Sequence, residues 1–168
     1  MTLSIRELVF RFKKIADEHP QINAFSAGPL YHLLEDIKYY PYLFVINDIP
    51  HEMTFSENNG YRSIEYSFIL RVGDRVNNNV KSYEKTGGIL SNNELDINSD
   101  TFSMLVDILN AISEDSLGLF SDLRLVDSID IEPFFNEDSG DVNGHQATIK
   151  LRVKVESPCI SPLTAPKH

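Results

Sequence analysis

The chain has 168 residues, of which 42% are apolar, so it is long enough to enclose one hydrophobic core. Its 25 acidic residues outnumber its 15 Lys and Arg residues, and the net charge of -10 disfavours binding to nucleic-acid phosphates or anionic lipid. The single cysteine, Cys159, excludes an intrachain disulfide and a cysteine zinc site. No apolar run approaches the roughly 20 residues of a membrane-spanning helix, so we expect a soluble protein made in the cytoplasm, without a membrane partner.

The first predicted element is an amphipathic helix. Ser4 is placed to cap it, Glu7 follows as in a capping box, and Leu3 and Leu8 have the spacing of a hydrophobic staple. Its apolar stripe comprises Ile5, Leu8, Val9, Phe12, Ile15 and Ala16. His19-Pro20 predicts its end. We expect most of its basic residues to form a solvated face: Arg6, Arg11, Lys13 and Lys14.

Strands are expected next. Asn23 to Tyr40 is mixed in character, and Leu30 to Ile37 allows a short helix. Tyr42 to Ile49 is a near-continuous apolar run between prolines, which is typical of a buried strand. A short strand is predicted at Met53 to Phe55.

A long alternating strand is predicted from Tyr61 to Asp74. Its apolar face comprises Ile64, Tyr66, Phe68, Leu70 and Val72, and its other face carries Ser63, Glu65, Ser67 and Arg71. From Val76 to Ile97 the apolar residues follow neither the strand period nor the helix period. Loops of this length in a compact domain are usually functional, or disordered until bound, so we expect this one to order on assembly.

A second helix is predicted to open at Asn98-Ser99-Asp100-Thr101-Phe102, with acidic residues in its first turn, where the helix dipole favours them. Its expected core stripe comprises Phe102, Leu105, Val106, Leu109 and Ile112. Acidic residues are concentrated in this half: between Thr86 and Ile149 there are 13 of them and one base, Arg124. This half will present a negative surface wherever it faces solvent.

Leu123 to Glu132 predicts a strand that Pro133 ends. A polar turn region from Asn136 to Gly144 leads to a last strand, in which Ile149, Leu151, Val153 and Val155 alternate with Lys150, Arg152 and Lys154. The tail from Ser157 to His168 contains three prolines and is expected to be extended.

Motifs for catalysis and metal binding are not matched. Asn136 to Asp141 clusters carboxylates as a calcium loop does, but Gly140 and Ile149 occupy positions that need oxygen ligands. The five histidines lack helical metal-ligand spacing, and the sequence has no Gly-x-Ser-x-Gly motif. We therefore expect no catalytic residue, metal or cofactor. The alternative is a small soluble ligand-binding or enzymatic domain with an unrecognised carboxylate site.

The basic stripe on the last strand has two interpretations. Three like charges more often decorate a solvated strand, but they also suit contact with an acidic neighbouring surface. A basic stripe and an acidic block on one molecule favour head-to-tail contact between identical copies, which generates closed rings. The candidate subunit-contact or lumen-facing residues are Glu137, Asp138, Asp141, Lys150, Arg152 and Lys154.

Several short motifs, in their order and spacing, resemble a known family. They are Tyr40-Pro41, Tyr66-x-Phe68-x-Leu70-x-Val72-x-Asp74, Ser99-Asp100-Thr101-Phe102, and Glu132-Pro133-Phe134 followed at a distance by Gly144. From about Ile22 to Glu156 the chain resembles small virion proteins of tailed phages that infect Bacteroidota (crAss-like phages), of the tail terminator or tail completion type. It departs from them in a longer segment between Asp74 and Ser99, and at His145, where the family often has tryptophan.

The resemblance implies an α+β fold in which a mostly antiparallel β-sheet packs against two main helices. We expect a single domain at residues 1–156, with a long loop at 76–97 and an extended tail at 157–168. The resemblance also implies a structural, non-enzymatic virion protein that forms a closed ring in the phage neck or tail. Its implied partners are further copies of itself, adjacent neck, portal-adaptor or tail ring proteins, and genomic DNA that passes through without specific binding. Assembly is expected in the cytoplasm of the host bacterium.

Overall fold

The computed structural model describes residues 4–29, 39–47, 51–55, 62–76, 94–126, 129–135 and 142–155. Within these ranges the elements are α1 (Ile5–Glu18), β1 (Ala24–Gly28), β2 (Tyr42–Ile46), β3 (Glu52–Phe55), β4 (Arg62–Arg75), α2 (Glu94–Ser113), β5 (Leu123–Leu125), β6 (Ile131–Phe134) and β7 (Val142–Val155). The fold is α+β, with a mostly antiparallel sheet packed against helices, which confirms the predicted class. Its likeness to tail terminators stays a prediction.

Two long strands form the centre of the sheet. β4 and β7 pair antiparallel over their whole length, from Arg62 opposite Val155 to Arg75 opposite Val142. β3 and β2 pair with the first and second halves of β4, and β6 and β5 pair with the first and second halves of β7. β1 lies beside β2 in the one parallel pairing among the described strands. The β4–β7 ladder therefore fixes the relative positions of four further strands.

The start and end of α1 are as predicted. The hydroxyl of Ser4 accepts a hydrogen bond from the Glu7 N–H at 3.2 Å, and the Glu7 carboxylate accepts one from the Ser4 N–H at 2.7 Å. This capping box satisfies two backbone donors that a bare helix end leaves unpaired. The helix ends at Glu18, with His19 as its C-cap.

The main core lies between the helices and one face of the sheet. The predicted apolar face of β4 is buried here, against alternate residues of β2 and β7. From α1, Phe12 packs edge-on against Phe68 with ring centroids 5.1 Å apart, and its ring centroid is 5.8 Å from that of Phe120. Phe12 thus connects α1 to β4 and to the segment that follows α2.

A second, smaller cluster covers the opposite face at one end of the sheet. It comprises Tyr42, Phe44, Ile46, Phe134 and Val142. Arg71 of β4 lies among these residues, 1% exposed, with its guanidinium carbon 3.7 Å from the ring centroid of Phe134. A cation placed over an aromatic face is attracted by the ring quadrupole, and this attraction partly offsets the cost of burying the charge.

Two glycines allow aromatic rings to lie directly against the sheet at this end. Gly73 and Gly144 are paired across β4 and β7. A Cβ at Gly73 would overlap the ring of Tyr42, and a Cβ at Gly144 would overlap both the β4 backbone and the ring of Phe134. The two positions require glycine because the rings and the neighbouring strand occupy the space of a side chain.

The start of α2 was predicted wrongly. The helix is already formed at Glu94, so Ser99 and Asp100 lie within it rather than at its first turn, and Glu94 to Ile97 is not loop. Short polar residues of this kind favour helix caps, but they also fit an exposed helix side, which is where both of them lie. The buried side of α2 comprises Ile97, Thr101, Met104, Leu105, Ile108, Leu109 and Ile112. Phe102, expected in the core, is largely exposed, and Val106 is only partly buried.

Three strand predictions also need correction in the structure. β1 was not predicted, because its small residues lack alternation and it is formed by pairing with β2. β2 ends at Ile46 rather than Ile49. The expected strand from Leu123 to Glu132 is two separate strands, β5 and β6.

Pro133 does not end a strand but lies inside β6, opposite His145. Proline lacks the N–H that a second neighbouring strand would need, and it is tolerated where only one side of a strand is paired. Among the described strands, β6 pairs with β7 alone.

β7 begins at Val142, inside the expected turn region. The predictions for Leu3, for the helix at 30–37, for most of the loop at 76–97 and for the tail at 157–168 concern residues outside the described ranges.

The position of Phe12 generates a stability prediction. We expect Phe12→Ala to lower the free energy of unfolding by about 3–5 kcal/mol, because the ring is fully buried and its removal leaves a cavity. Phe10→Ala, the same change two residues earlier on an exposed side chain, should change it by less than about 0.5 kcal/mol. Urea denaturation of the dilute protein measures both values, and equal losses in the two variants would contradict the packing of α1 described here.

Candidate subunit-contact surfaces

Residues from four distant parts of the chain meet where β4 ends and β7 begins. Asp74 is one residue from the end of β4, Gly144 lies near the start of β7, and Phe134 of β6 is opposite Gly144. Thr101 of α2 contacts the β7 residue that follows Gly144. We call Asp74, Thr101, Phe134 and Gly144 the motif corner, because each belongs to one of the short motifs of the family resemblance.

His145 attaches α2 to the sheet at the motif corner. The hydroxyl of Thr101, fully buried, donates a hydrogen bond to the carbonyl oxygen of Ile97 at 2.6 Å and lies 3.0 Å from Nδ1 of His145. The Thr101 hydroxyl proton is taken up by the bond to Ile97, so its oxygen can only accept from His145. The hydrogen-bond network therefore assigns the ring proton of His145 to Nδ1, which donates to Thr101. Burial lowers the pKa of His145, which favours this neutral ring. The Phe102 ring packs edge-on against it, with centroids 5.5 Å apart.

The carboxylates beside the motif corner give it a negative potential. Burial raises the pKa of Asp74, and the nearby Asp100 carboxylate raises it further. The Arg75 backbone N–H, which donates to Asp74 Oδ1 at 2.7 Å, acts in the opposite direction.

Within the described ranges, no three His, Cys, Asp or Glu side chains are grouped to hold a metal ion. In the same ranges no helix is both long and apolar enough to cross a membrane.

The basic stripe of β7 is partly neutralised inside the chain. Its positions lie on the face of the sheet opposite the helices, and in register Arg152 is opposite Glu65 of β4. The Arg152 guanidinium donates to a Glu65 carboxylate oxygen, with 2.8 Å between Nε and Oε1, and a second N–H of the guanidinium reaches the same oxygen. Glu65 is 7% exposed, so its carboxylate depends on this partner. The sequence pattern showed the stripe but did not identify Glu65.

The structure gives fewer contacts for the other predicted contact residues. Lys150 is half-buried and has interactions within the chain. The backbone of Lys154 is opposite Ser63 in the β4–β7 ladder. Glu137, Asp138 and Asp141 lie outside the described residues. The structure therefore brings together Arg152 and Glu65, and it leaves the stripe with less free positive charge than its sequence indicates.

The outer side of α1 carries an aromatic ring between two cations. Arg6, Phe10 and Lys14 follow one another at four-residue intervals, so they lie on one side of the helix. Phe10 is 59% exposed, and the Lys14 Nζ lies 5.7 Å from its ring centroid. With Glu7, Arg11 and Leu119 these residues line an open groove of about 390 Å³, in which three cations outnumber the single Glu7 carboxylate. We call Arg6, Phe10, Lys14 and Leu119 the α1 groove.

Arg11 holds one wall of this groove in place. It donates one hydrogen bond to the Leu119 carbonyl oxygen at 2.5 Å and another to Asp122 Oδ1 at 2.6 Å. The second bond is the largest cause of the lowered pKa of Asp122. Among the basic residues of α1, Arg6, Lys13 and Lys14 are exposed as expected, whereas Arg11 is not simply solvated. The groove was missed in the sequence because Leu119 is distant along the chain.

The N-terminal half of α2 is negatively charged, whereas the α1 groove is positively charged. Leu95 is 55% exposed and Phe102 is 46% exposed along one edge of the solvent side of the helix, and the carboxylates of Asp96 and Asp100 are exposed along its other edge, about 100° or more around the helix axis. We call Leu95, Asp96, Asp100 and Phe102 the α2 face. It combines apolar side chains with negative charge, whereas the α1 groove combines them with positive charge.

The α1 groove and the α2 face lie at opposite ends of the helical layer. Leu119 follows the C-terminal end of α2, whereas the α2 face is formed by its first residues. A helix rises about 1.5 Å per residue, so the 20 residues of α2 separate its two ends by about 30 Å. One copy of the chain therefore presents two different surfaces far apart.

Comparison with known proteins identifies no relative: no family model matches the chain, and no curated protein matches it. The functional proposal therefore depends on the sequence motifs and on the geometry of these surfaces.

The ion pair on β7 generates a second prediction. Arg152→Gln should lower the free energy of unfolding by about 1–3 kcal/mol, because it leaves the Glu65 carboxylate buried beside a neutral group. Adding Glu65→Gln to this variant should recover part of the loss. Arg124→Gln, on the exposed position next to Arg152 across β5 and β7, is the control and should have little effect. If urea denaturation shows no difference between the Arg152 and Arg124 variants, the pair does not stabilise the fold.

Two partly buried histidines generate a pH prediction. Burial lowers the pKa of both His19 and His145 below the usual value, which is 6.5. Below that value the unfolded chain binds protons that the folded chain does not, so the free energy of unfolding should decrease as the pH falls from 7.5 to about 5.5. His145→Gln removes one of the two contributions, and its free energy of unfolding should depend less steeply on pH. Urea denaturation at several pH values tests this, and an unchanged slope would contradict it.

Proposed function

We propose that this chain is a structural virion protein that forms a closed ring in the neck or tail of a tailed phage, around the conduit for the genome. The observation that supports the proposal most directly is the motif corner. All the matched motifs except Tyr40-Pro41 contribute a residue to the motif corner, where β4 and β7 carry Phe134 of β6 on one face and α2 on the other. Short motifs that lie close together in the structure support a family relation more strongly than the same motifs far apart in the fold.

The proposed mechanism is geometric. The long β4–β7 pair supplies a rigid frame, both helices cover one of its faces, and neighbouring copies join through their remaining surfaces to form an annulus. The segment at 77–93 and the tail at 157–168 are proposed to contact adjacent neck, portal-adaptor or tail ring proteins. No catalytic residue or cofactor takes part. The virion is the proposed location, reached after assembly in the bacterial cytoplasm.

Negative charge suits a conduit for DNA. Like charges repel, so acidic walls keep the passing phosphates from binding. With a net charge of -10, the chain can present such a wall. We propose Glu137, Asp138 and Asp141 as lumen-facing or ring-facing residues, and the β7 stripe of Lys150, Arg152 and Lys154 as a further contact between subunits.

Mass measurement at increasing protein concentration tests ring formation. We expect light scattering and native mass spectrometry to show one closed oligomer whose mass stops increasing above the assembly concentration, because a ring has no free ends. Negative-stain images of the same sample should show an annulus. A stable monomer or dimer at all concentrations would contradict the proposal and favour a ligand-binding domain. An electron cryo-microscopy map of the particle would then give the copy number and the layer.

A further inference from the structure

We infer that the α1 groove of one copy binds the α2 face of the next copy. The inference rests on the ring proposed above and identifies its subunit interface. It commits to a second copy of this chain as the occupant of the groove.

The groove has the properties of a binding surface. Phe10 presents most of its ring to solvent on a helix whose neighbouring apolar residues are buried, and Leu119 lines the groove beside it. Arg6 and Lys14 are exposed on either side of this ring along the helix. Aromatic residues and Arg are enriched at protein interfaces, and charges at the rim of an interface select the partner.

The α2 face is complementary to the α1 groove in its apolar side chains and in its charge. It offers two exposed apolar side chains, Leu95 and Phe102, to cover Phe10 and Leu119. Its carboxylates, Asp96 and Asp100, carry the charge opposite to that of Arg6 and Lys14. In a chain with a net charge of -10, the α1 groove is a local positive surface, so mutual repulsion between copies is lowest where it meets an acidic face.

The position of the two surfaces determines the type of assembly. They differ from each other and lie at opposite ends of the helical layer, so their contact is head-to-tail rather than two-fold symmetric. Head-to-tail contacts continue from copy to copy until a rotation closes them into a ring. The β7 stripe is the weaker candidate for this contact, because Arg152 already pairs with Glu65.

Charge reversal on each surface tests the interface. Arg6→Glu with Lys14→Glu should dissociate the ring, and so should Asp96→Lys with Asp100→Lys, because each pair places like charges across the contact. The control is Lys13→Glu, which changes the net charge as much as Lys14→Glu alone but lies outside the groove, and it should leave the ring intact while Lys14→Glu alone weakens it. Light scattering measures the mass of each variant, and thermal unfolding checks that each is folded.

Combining the two reversals gives the sharpest test. The four substitutions in one chain leave the net charge at -10 and restore opposite charges across the contact, so the ring should form again. Mixing the two double variants should also restore assembly, with the two variants alternating, because each contact then joins either the two intact surfaces or the two reversed ones, and both pairs are opposite in charge. Failure of both results would overturn the inference.

Phe10→Ser supplies a measurement that does not depend on charge. Its side chain is exposed, so the fold should persist, and the concentration at which half the protein is assembled should rise at least about tenfold. If the wild-type chain forms a ring that neither Phe10→Ser nor the reversals at Arg6 and Lys14 weaken, this interface is wrong and the proposed function stands. If the wild-type chain forms no ring, both are wrong.

Discussion

The structure depends on one constraint, the register of the β4–β7 ladder. Side chains alternate between the faces of a sheet, so a slip of β7 by one residue would move Arg152 toward the helices, away from Glu65, and Leu151 toward the other face. The same register places Phe134 over Gly144 and brings His145 to Thr101. The main core, the second cluster and the docking of α2 are therefore consequences of one pairing, and none of them can be adjusted independently.

Sequence patterns predicted the elements that specify themselves locally. α1 has a capping box, a clean stripe and a terminating proline, and β4 has strict alternation, so both were predicted nearly to their ends. The errors fall on elements that tertiary pairing defines. β1 is a strand because β2 is beside it, and β6 tolerates Pro133 because β7 pairs with it from one side. At Ser99-Asp100 the cap preference was outweighed by the burial of Ile97 in the preceding turn of α2.

The surfaces were harder to predict than the fold, for the same reason. A sequence gives the sign of a charge but not the residue across the sheet from it, so Arg152 was named as a candidate contact with a partner copy and its pairing with Glu65 was not predicted. One signal was present: Glu65 is the single acid on the polar face of β4. The α1 groove offered no such signal, because Phe10 acquires its significance from Leu119, which only the fold brings near.

The glycine pair at Gly73 and Gly144 has a consequence beyond packing. A single methyl group at Gly144 would press on the β4 backbone and on Phe134 together, in the strand whose next residue, His145, anchors α2. Such a lesion would displace the α2 face while leaving its own residues unchanged. A substitution that lies outside the helix is thus expected to loosen the docking of α2 in a temperature-dependent manner.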